Sequence, residues 1–466
     1  MPEEGLHKIV AVTGGSGQLG TLVLRRLFND PKIEQVVAID LQPPCVASPK
    51  LRTVTADVRD RDLARHFRHC EALIHCAALV SAGASAERFQ SVNVDGGKNV
   101  FEAAIEAGVK TIVHISSITA YGCVADHPVP IVESSPRQHQ RNFAYASSKF
   151  LLEEFLDAFE PQHPDVAISR IRANVMLGRN VPHLLGWSLH AGWIPNLGRT
   201  PLPLVWDEDV ADLVILALRA RARGAFNAAA EELLEADELA KRTGLASVRP
   251  ARPLGFAYRA SRAALASLGL ERLSDPDWFD KMKGAWLVAS SQRARSELGW
   301  SPRHPTAAAV VQRFRDFAPL GIDRRVQFLL QFWARTLNQS RMLPAQACRI
   351  NLWLNGRSGR DLTLLLAEGR LKITSGPQPN PTGSVILRDA LFRELLTGTA
   401  DAEWEKEAGR IVVEGRPEDW EVFKRIVSGL VARQKAADAG AAVLRRMASF
   451  LTRTRLVEDV SGGGGR

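Results

Sequence analysis

The chain has 466 residues, 45% hydrophobic and 24% charged, the balance of a soluble globular protein too long for one core, so two or three domains are expected. Its net charge of +9 comes without a zinc-finger, RRM or helix-turn-helix pattern, so arginine-rich solvated faces account for it and nucleic acid is not an expected partner. Cys45, Cys70, Cys76, Cys123 and Cys348 form no CxxC pair and lack histidine at ligand spacing, which argues against a metal site or disulfide framework and for a reducing compartment. The opening residues show no basic segment leading into an apolar one. No run approaches the ~18–20 apolar residues of a membrane span, so a cytoplasmic location, at most peripheral at a membrane, is expected.

In chain order, residues 8–13 (KIVAVT) read as a buried parallel strand. The glycine loop Gly14–Gly15–Ser16–Gly17–Gln18–Leu19–Gly20 follows, then an amphipathic helix. Strand, glycine loop and helix together let backbone N–H groups and a helix N-terminus receive a pyrophosphate. In that reading Gly14 makes the turn, Gly17 admits the phosphate and Gly20 lets helix and strand pack. A second strand, QVVAID (35–40), ends in Asp40, roughly twenty residues beyond the loop, where a carboxylate binds the adenosine ribose and favours NAD over NADP. Asp57 and Val58 close a third strand, RTVTADV, near the adenine. Strands are also expected at 72–78 (ALIHCAA) and 110–117 (KTIVHISS), with a helix over 89–108 between them. This alternation predicts an α/β fold with a doubly wound parallel Rossmann sheet and its ligand at the carboxyl ends of the strands.

Ser116 and Ser117 end the fifth strand, and Tyr145–Ala146–Ser147–Ser148–Lys149 comes later. A tyrosine and a lysine four apart share one helix face, and an ammonium nearby stabilises a phenolate for acid/base work.

Residues 1 to about 310 resemble the extended short-chain dehydrogenase/reductase family, which includes nucleotide-sugar epimerases and dehydratases and 3β-hydroxysteroid dehydrogenases. The resemblance rests on TGGSGQLG, the HCAA stretch with Cys76, Ala77 and Ala78, Asn93 in NVDG, SSITAYG and YASSK. It implies that Ser117 polarises the substrate oxygen and Tyr145 transfers the proton. It also implies that Lys149 holds the nicotinamide ribose and lowers the tyrosine pKa, and that Asn93, Ser116 and the HCAA residues face the cofactor, NAD.

RIRANVMLG (170–178) matches a later family segment, with Met176 where sugar enzymes often carry tyrosine. Leu184, Leu185, Trp187, Trp193, Ile194, Leu197, Leu202, Leu204 and Trp206 follow, and His183 and Arg199 are the polar exceptions. Either these residues form the core of a small substrate lobe (about 175–300) or they favour an apolar substrate. WDEDVADLVILAL (206–218) reads as a helix capped by Asp207 or Asp209, AFNAAA (225–230) as a strand, and 291–303 as the end of the lobe. Residues 256–270 read as a basic amphipathic helix, packed or touching a membrane.

Domain boundaries are placed at 1–315, 316–438 and 439–466. The second domain opens with a helix over 320–340. Short strands at 350–356, 361–369, 370–376 and 384–390 then suggest an antiparallel meander, followed by a helix, a strand at 409–415 and a last helix. The order resembles the sterol carrier protein-2 family, an α+β fold whose apolar tunnel binds sterols, fatty acids or acyl-CoA. Leu352, Leu354, Leu364, Leu366, Ile386, Leu395, Val412, Phe423 and Ile426 are candidates for tunnel or core. Residues 441–455 pair an apolar helical face with arginines, either a solvated helix or a weak anionic-membrane contact.

Together the halves point to an NAD-dependent oxidoreductase acting on a hydroxylated lipid. The alternatives are a nucleotide-sugar epimerase or dehydratase tethered to lipid, and a non-catalytic NAD-binding lipid carrier. A small-molecule lipid is the expected partner, and a homodimer is left open.

Overall fold

The computed structural model describes residues 8–80, 84–179, 184–230, 232, 234–249, 281–316, 334–335, 337–338, 343–344, 346–355, 361–429 and 431. Expectations for residues 256–270, most of 320–340, His183, and the tail 439–466 lie outside them, as do the side chains of Leu184 and Trp187. The chain divides into two compact units, Met1–Gly321 and Ile322–Arg466.

The strands of the first unit run in chain order as β1 (Ile9–Thr13), β2 (Gln35–Asp40), β3 (Leu51–Thr55), β4 (Ala72–His75), β5 (Thr111–Ser117), β6 (Ala167–Ala173), β7 (Val175–Leu177), β8 (Trp193–Pro195), β9 (Leu204–Trp206), β10 (Gly224–Ala228) and β11 (Ala246–Val248). Seven of them form one parallel sheet ordered β10-β6-β5-β4-β1-β2-β3, the doubly wound arrangement expected from the alternation. The third and fourth strands stop at Thr55 and His75, short of the predicted ends, so Asp57, Val58 and Cys76–Ala78 lie in the loops beyond them.

All seven residues of β5 and of β6 are buried, because helices cover both faces of a central parallel strand. The charged and imidazole side chains fall on one face with Ser116: Ser116 pairs with Arg172 and His114 with Arg170, while Ser117 points to the other face. The predicted 89–108 helix is three consecutive segments, α-helix Ala86–Phe89, π-helix Gln90–Asp95 and α-helix Gly96–Glu106. The π segment contains Asn93.

The helix Asp207–Arg219 departs from its predicted capping. Trp206 is the N-cap residue and no side chain caps it. Asp209 instead accepts from the backbone N–H groups of Arg303 (3.0 Å) and His304 (3.0 Å), and Asp207 turns toward Gln18.

The expected apolar stretch of the substrate lobe is largely core. Leu185, Ile194, Leu197, Leu202, Leu204 and Trp206 are buried in one cluster with Tyr121, Phe143 and Phe314, while Trp193 is half-buried. Their density therefore reflects packing, and it gives no separate argument for an apolar substrate.

The second unit has strands β12 (Cys348–Asn355), β13 (Leu362–Ala367), β14 (Arg370–Ser375), β15 (Gly383–Arg388) and β16 (Val412–Gly415), ordered β14-β13-β12-β15-β16. Only the first three form the predicted meander. β15 returns to pair parallel with β12, and β16 pairs antiparallel with β15. Buried polar groups pin the return. Asn351 Nδ2 donates to the Gln378 carbonyl (2.8 Å), and Thr363 Oγ1 donates to Asn351 Oδ1 (2.7 Å). A helix absent from the sequence reading, Ala402–Glu407, is capped by the Asp401 carboxylate, which accepts from Glu403 and Trp404 N–H.

One face of this sheet and the helix over residues 417–429 enclose a buried cluster containing Leu352, Leu354, Leu364, Leu366, Leu395, Phe423 and Ile426. Ile386 and Val412 do not belong to it. They face each other across the β15–β16 ladder on the other face, Val412 exposed, while Val385 and Leu387 point inward by strand alternation.

Candidate active site

The glycine loop lies between β1 and the helix Gln18–Phe28. Gly14 has φ +75°, and a Cβ there would stand 2.5 Å from the Ala77 nitrogen, so only glycine fits this turn beside the HCAA segment. Gly14 N–H donates to the Ile39 carbonyl (2.9 Å) and Gly17 N–H to the Gly14 carbonyl (3.1 Å). A Cβ on Gly20 would overlap the Gly14 carbonyl, which accounts for the third glycine. Gly17, at the N-cap, brings no capping side chain, so the first-turn N–H groups of Gln18, Leu19 and Gly20 lack an intrahelical acceptor. Asp40, at the end of β2, accepts from Ser16 N–H (3.0 Å) and Leu41 N–H (2.7 Å), fixing its carboxylate at the loop. A compact loop, a helix start that keeps its donors, and a carboxylate beside them fit a dinucleotide.

The outer cofactor candidates are held by local contacts. Asp57 chelates Arg59 (2.9 and 2.7 Å), and these hydrogen bonds hold its carboxyl below the usual range. The Val58 carbonyl accepts from Asn99 Nδ2 (2.8 Å). Cys76 N–H donates to the Thr13 carbonyl (3.0 Å), and Ala77 and Ala78 are half-buried beyond it.

Asn93 is buried and braced on both sides. Its Oδ1 accepts from Leu79 N–H (2.7 Å), and its Nδ2 donates to the Leu79 carbonyl (3.0 Å) and to Ser148 Oγ (3.1 Å). Its side chain therefore ties the segment after Ala78 to the helix Ala144–Phe159.

That helix presents Tyr145 and Lys149, and β5 presents Ser117. Tyr145 shares a hydrogen bond with Ser117, which works against the burial that raises the phenol above its ordinary value of 10. The buried Lys149 ammonium donates to the Ile115 carbonyl (2.8 Å) and is itself pushed down to about 8, by burial first, against the pull of Glu153. Ser117 Oγ also accepts from Thr119 Oγ1 (3.0 Å) and Thr119 N–H (3.2 Å). The Tyr145 ring lies between Phe89 (centroids 6.1 Å apart) and Phe143 (6.2 Å) and packs on the substrate-lobe cluster.

Behind these residues lies a buried charge network that sequence reading missed. Glu153, one turn after Lys149, accepts from Ser116 Oγ (2.5 Å), Arg172, Arg170 and Arg137. Burial would raise its carboxyl, but Arg172 and Arg170 overcome it and hold the group at about 2. Ser116 thus spends its hydroxyl on Glu153. Arg172 also donates to Tyr121 Oη (2.7 Å), which donates in turn to Asn227 Oδ1 (2.9 Å). The available sequence signal was the alternation of Arg170 and Arg172 in a strand otherwise buried on both faces.

Residues 10–229 match the NAD dependent epimerase/dehydratase family. An uncharacterized protein of Mycobacterium tuberculosis is 28% identical over 327 residues, covering 66% of this chain and 84% of its own length. UDP-glucose 4-epimerase of Neisseria meningitidis serogroup B is 29% identical over 197 residues, 38% of this chain and 56% of the relative. A 3-beta-hydroxysteroid dehydrogenase of Mycolicibacterium neoaurum is 33% identical over 159 residues, 32% of this chain and 42% of the relative. Among solved structures, UDP-glucose 4-epimerase of Thermus thermophilus in complex with NAD gives a TM-score of 0.50 at 22% identity, over 66% of this chain and 99% of that one. MoeE5 in complex with UDP-glucuronic acid and NAD gives 0.51 at 20% identity, over 66% and 97%. These structural likenesses are of fold. The family match over residues 10–229, together with the epimerase and dehydrogenase relatives, identifies the first unit as an enzyme domain of the NAD-dependent epimerase/dehydratase type, of the extended short-chain dehydrogenase class.

Proposed function

We propose that this protein is an NAD-dependent dehydrogenase of a hydroxylated lipid, a sterol or isoprenoid-like alcohol, whose second unit binds lipid. The observation that carries the reading is Tyr145, with its hydroxyl joined to Ser117 and its ring against the rings of Phe89 and Phe143. A secondary alcohol held there would donate its proton to the Tyr145 phenolate while the Ser117 hydroxyl orients its oxygen. Lys149 would bind the nicotinamide ribose, and its charge would favour the phenolate. The first-turn N–H groups of Gln18, Leu19 and Gly20 would hold the pyrophosphate, and Asp40 the adenosine ribose. NAD, when bound, supplies the hydride acceptor.

The resemblance to a 3-beta-hydroxysteroid dehydrogenase supports a polycyclic alcohol. In the second unit, a cavity of about 550 Å³ is lined by Leu395, Val427 and Val431, with Glu403 and Lys424 among its polar residues. Its apolar wall supports the lipid-binding reading.

A nucleotide-sugar epimerase is the second reading, favoured by the longer match to the meningococcal UDP-glucose 4-epimerase. Native mass spectrometry of the freshly purified chain, with identification of released small molecules, separates the two. A hydroxy- or keto-lipid beside NAD(H) supports the dehydrogenase. A nucleotide sugar moves the assignment to the epimerase.

A further inference from the structure

Three elements remote in sequence meet at one buried carboxyl group behind the glycine loop. Asp207, in the first turn of the helix Asp207–Arg219, accepts a hydrogen bond from Gln18 Nε2, in the first turn of the helix that follows the loop. Asp207 Oδ1 also accepts from Glu208 N–H at 2.8 Å. Gly178, just past β7, closes the third side: a Cβ there would overlap the Asp207 carboxyl and stand 2.5 Å from Gln18 Nε2. Asp207 is buried, and no cation is bonded to it among the described residues.

The surrounding charges are engaged elsewhere. Arg26, on the Gln18 helix, pairs with Asp212 (2.5 Å) and donates to the Glu208 carbonyl (2.9 Å). Glu208 meets Arg303 (3.5 Å), and Asp209 faces His304 (3.4 Å). Burial disfavours the charged form of Asp207 and the Glu208 carboxylate adds to it, and together they outweigh the hydrogen bonds from Gln18 and Glu208 N–H and the attraction of Arg26.

We propose that Asp207 is a positioning residue for the dinucleotide: through Gln18 it sets the start of the pyrophosphate-receiving helix, and its ionisation weakens NAD binding. The inference rests on the reading that NAD occupies the glycine loop. Gln18 lies in the turn whose N–H groups would receive the pyrophosphate. A neutral Asp207 leaves that positive end undiminished, whereas a carboxylate behind it opposes the incoming anion. Burial pushes the Asp207 carboxyl up to about 7, so the change falls near neutral pH.

The test is calorimetric titration of NAD into the full chain at pH about 6 and about 7.5, in buffers of differing ionisation enthalpy, for the wild type and Asp207→Asn. The wild type is expected to bind several-fold more weakly at the higher pH and to take up protons on binding near pH 7. Asp207→Asn is expected to bind with nearly constant affinity and no such uptake. Lys149 is the same in both proteins, so the difference between them isolates Asp207. If the Asn variant does not fold, Gln18→Met is expected to shrink the wild-type pH step. A flat wild-type profile, or an unchanged step in either variant, overturns this inference alone. No NAD binding at either pH overturns the cofactor reading with it.

Discussion

Arg172 grips Glu153 with two nitrogens, Nε at 2.9 Å from Oε1 and Nη2 at 2.6 Å from Oε2, in the buried space between β6 and the helix that presents Tyr145 and Lys149. The same carboxylate accepts from Ser116, the neighbour of Ser117. One ionised group therefore joins the strand and the helix that bring the three site residues together. Removing its charge leaves Arg137, Arg170 and Arg172 without their shared partner. Glu153→Gln is expected to destabilise the first unit by about 3–5 kcal/mol, read by urea denaturation. Because the folded carboxyl sits at about 2, below its ordinary 4.5, its contribution is fully present above pH 4.5 and fades as pH falls toward 2. The wild type and the variant should converge in stability on acidification, and a gap independent of pH would count against the network.

Lys149 is pushed down to about 8, so its ammonium is lost as pH rises through that value. Steps that need its charge should weaken above about pH 8. Lys149→Met should lower turnover by about 10²–10⁴-fold and abolish that alkaline decline in a pH–rate profile. A variant that keeps the decline would assign it to another group.

Gly14 combines φ +75° with the approach to Ala77. Gly14→Ala is expected to abolish or severely weaken NAD binding, measured by quenching of protein fluorescence. Affinity within a factor of two of wild type would show that the loop can shift to accommodate a side chain.

In the second unit, Leu387 and Ile386 are neighbours on opposite faces of β15. Leu387→Ala should cost about 2–5 kcal/mol through the cavity it leaves. Ile386→Ala should cost markedly less, and equal losses in thermal melts of the two variants would contradict the assigned faces.

The contrast between those two residues shows where the sequence stops being legible. SVIL is four residues without the apolar–polar alternation that identifies an inward face, so composition alone groups Ile386 with the core. The return of β15 to β12 is hidden for a related reason. Nothing local to 384–390 says which earlier strand it joins, and the Asn351 and Thr363 side chains that pin the return lie on strands already passed. In the first unit, each strand declares its partner through βαβ chain order, and the loop from Gly14 to Gly20 and the YASSK run are contiguous signals. Glu153 escapes a sequence reading because its meaning depends on Arg137, Arg170 and Arg172, which only the folded register brings to it. The Asp207–Gln18 contact escapes it for the same reason. The substrate-lobe aromatics carry a real apolar signal, but pattern alone does not separate a packed Trp206 from a ligand-facing one.

The most direct test compares the wild type with Tyr145→Phe, measuring NAD binding and NADH formation from a panel of sterol and isoprenoid alcohols on the same preparations. The account predicts that the wild type reduces NAD with at least one lipid alcohol, while the variant binds NAD normally and forms NADH at least about 10²-fold more slowly. NADH formation undiminished in the variant would contradict the role of Tyr145. A wild type that binds NAD but turns over only a nucleotide sugar would contradict the lipid substrate.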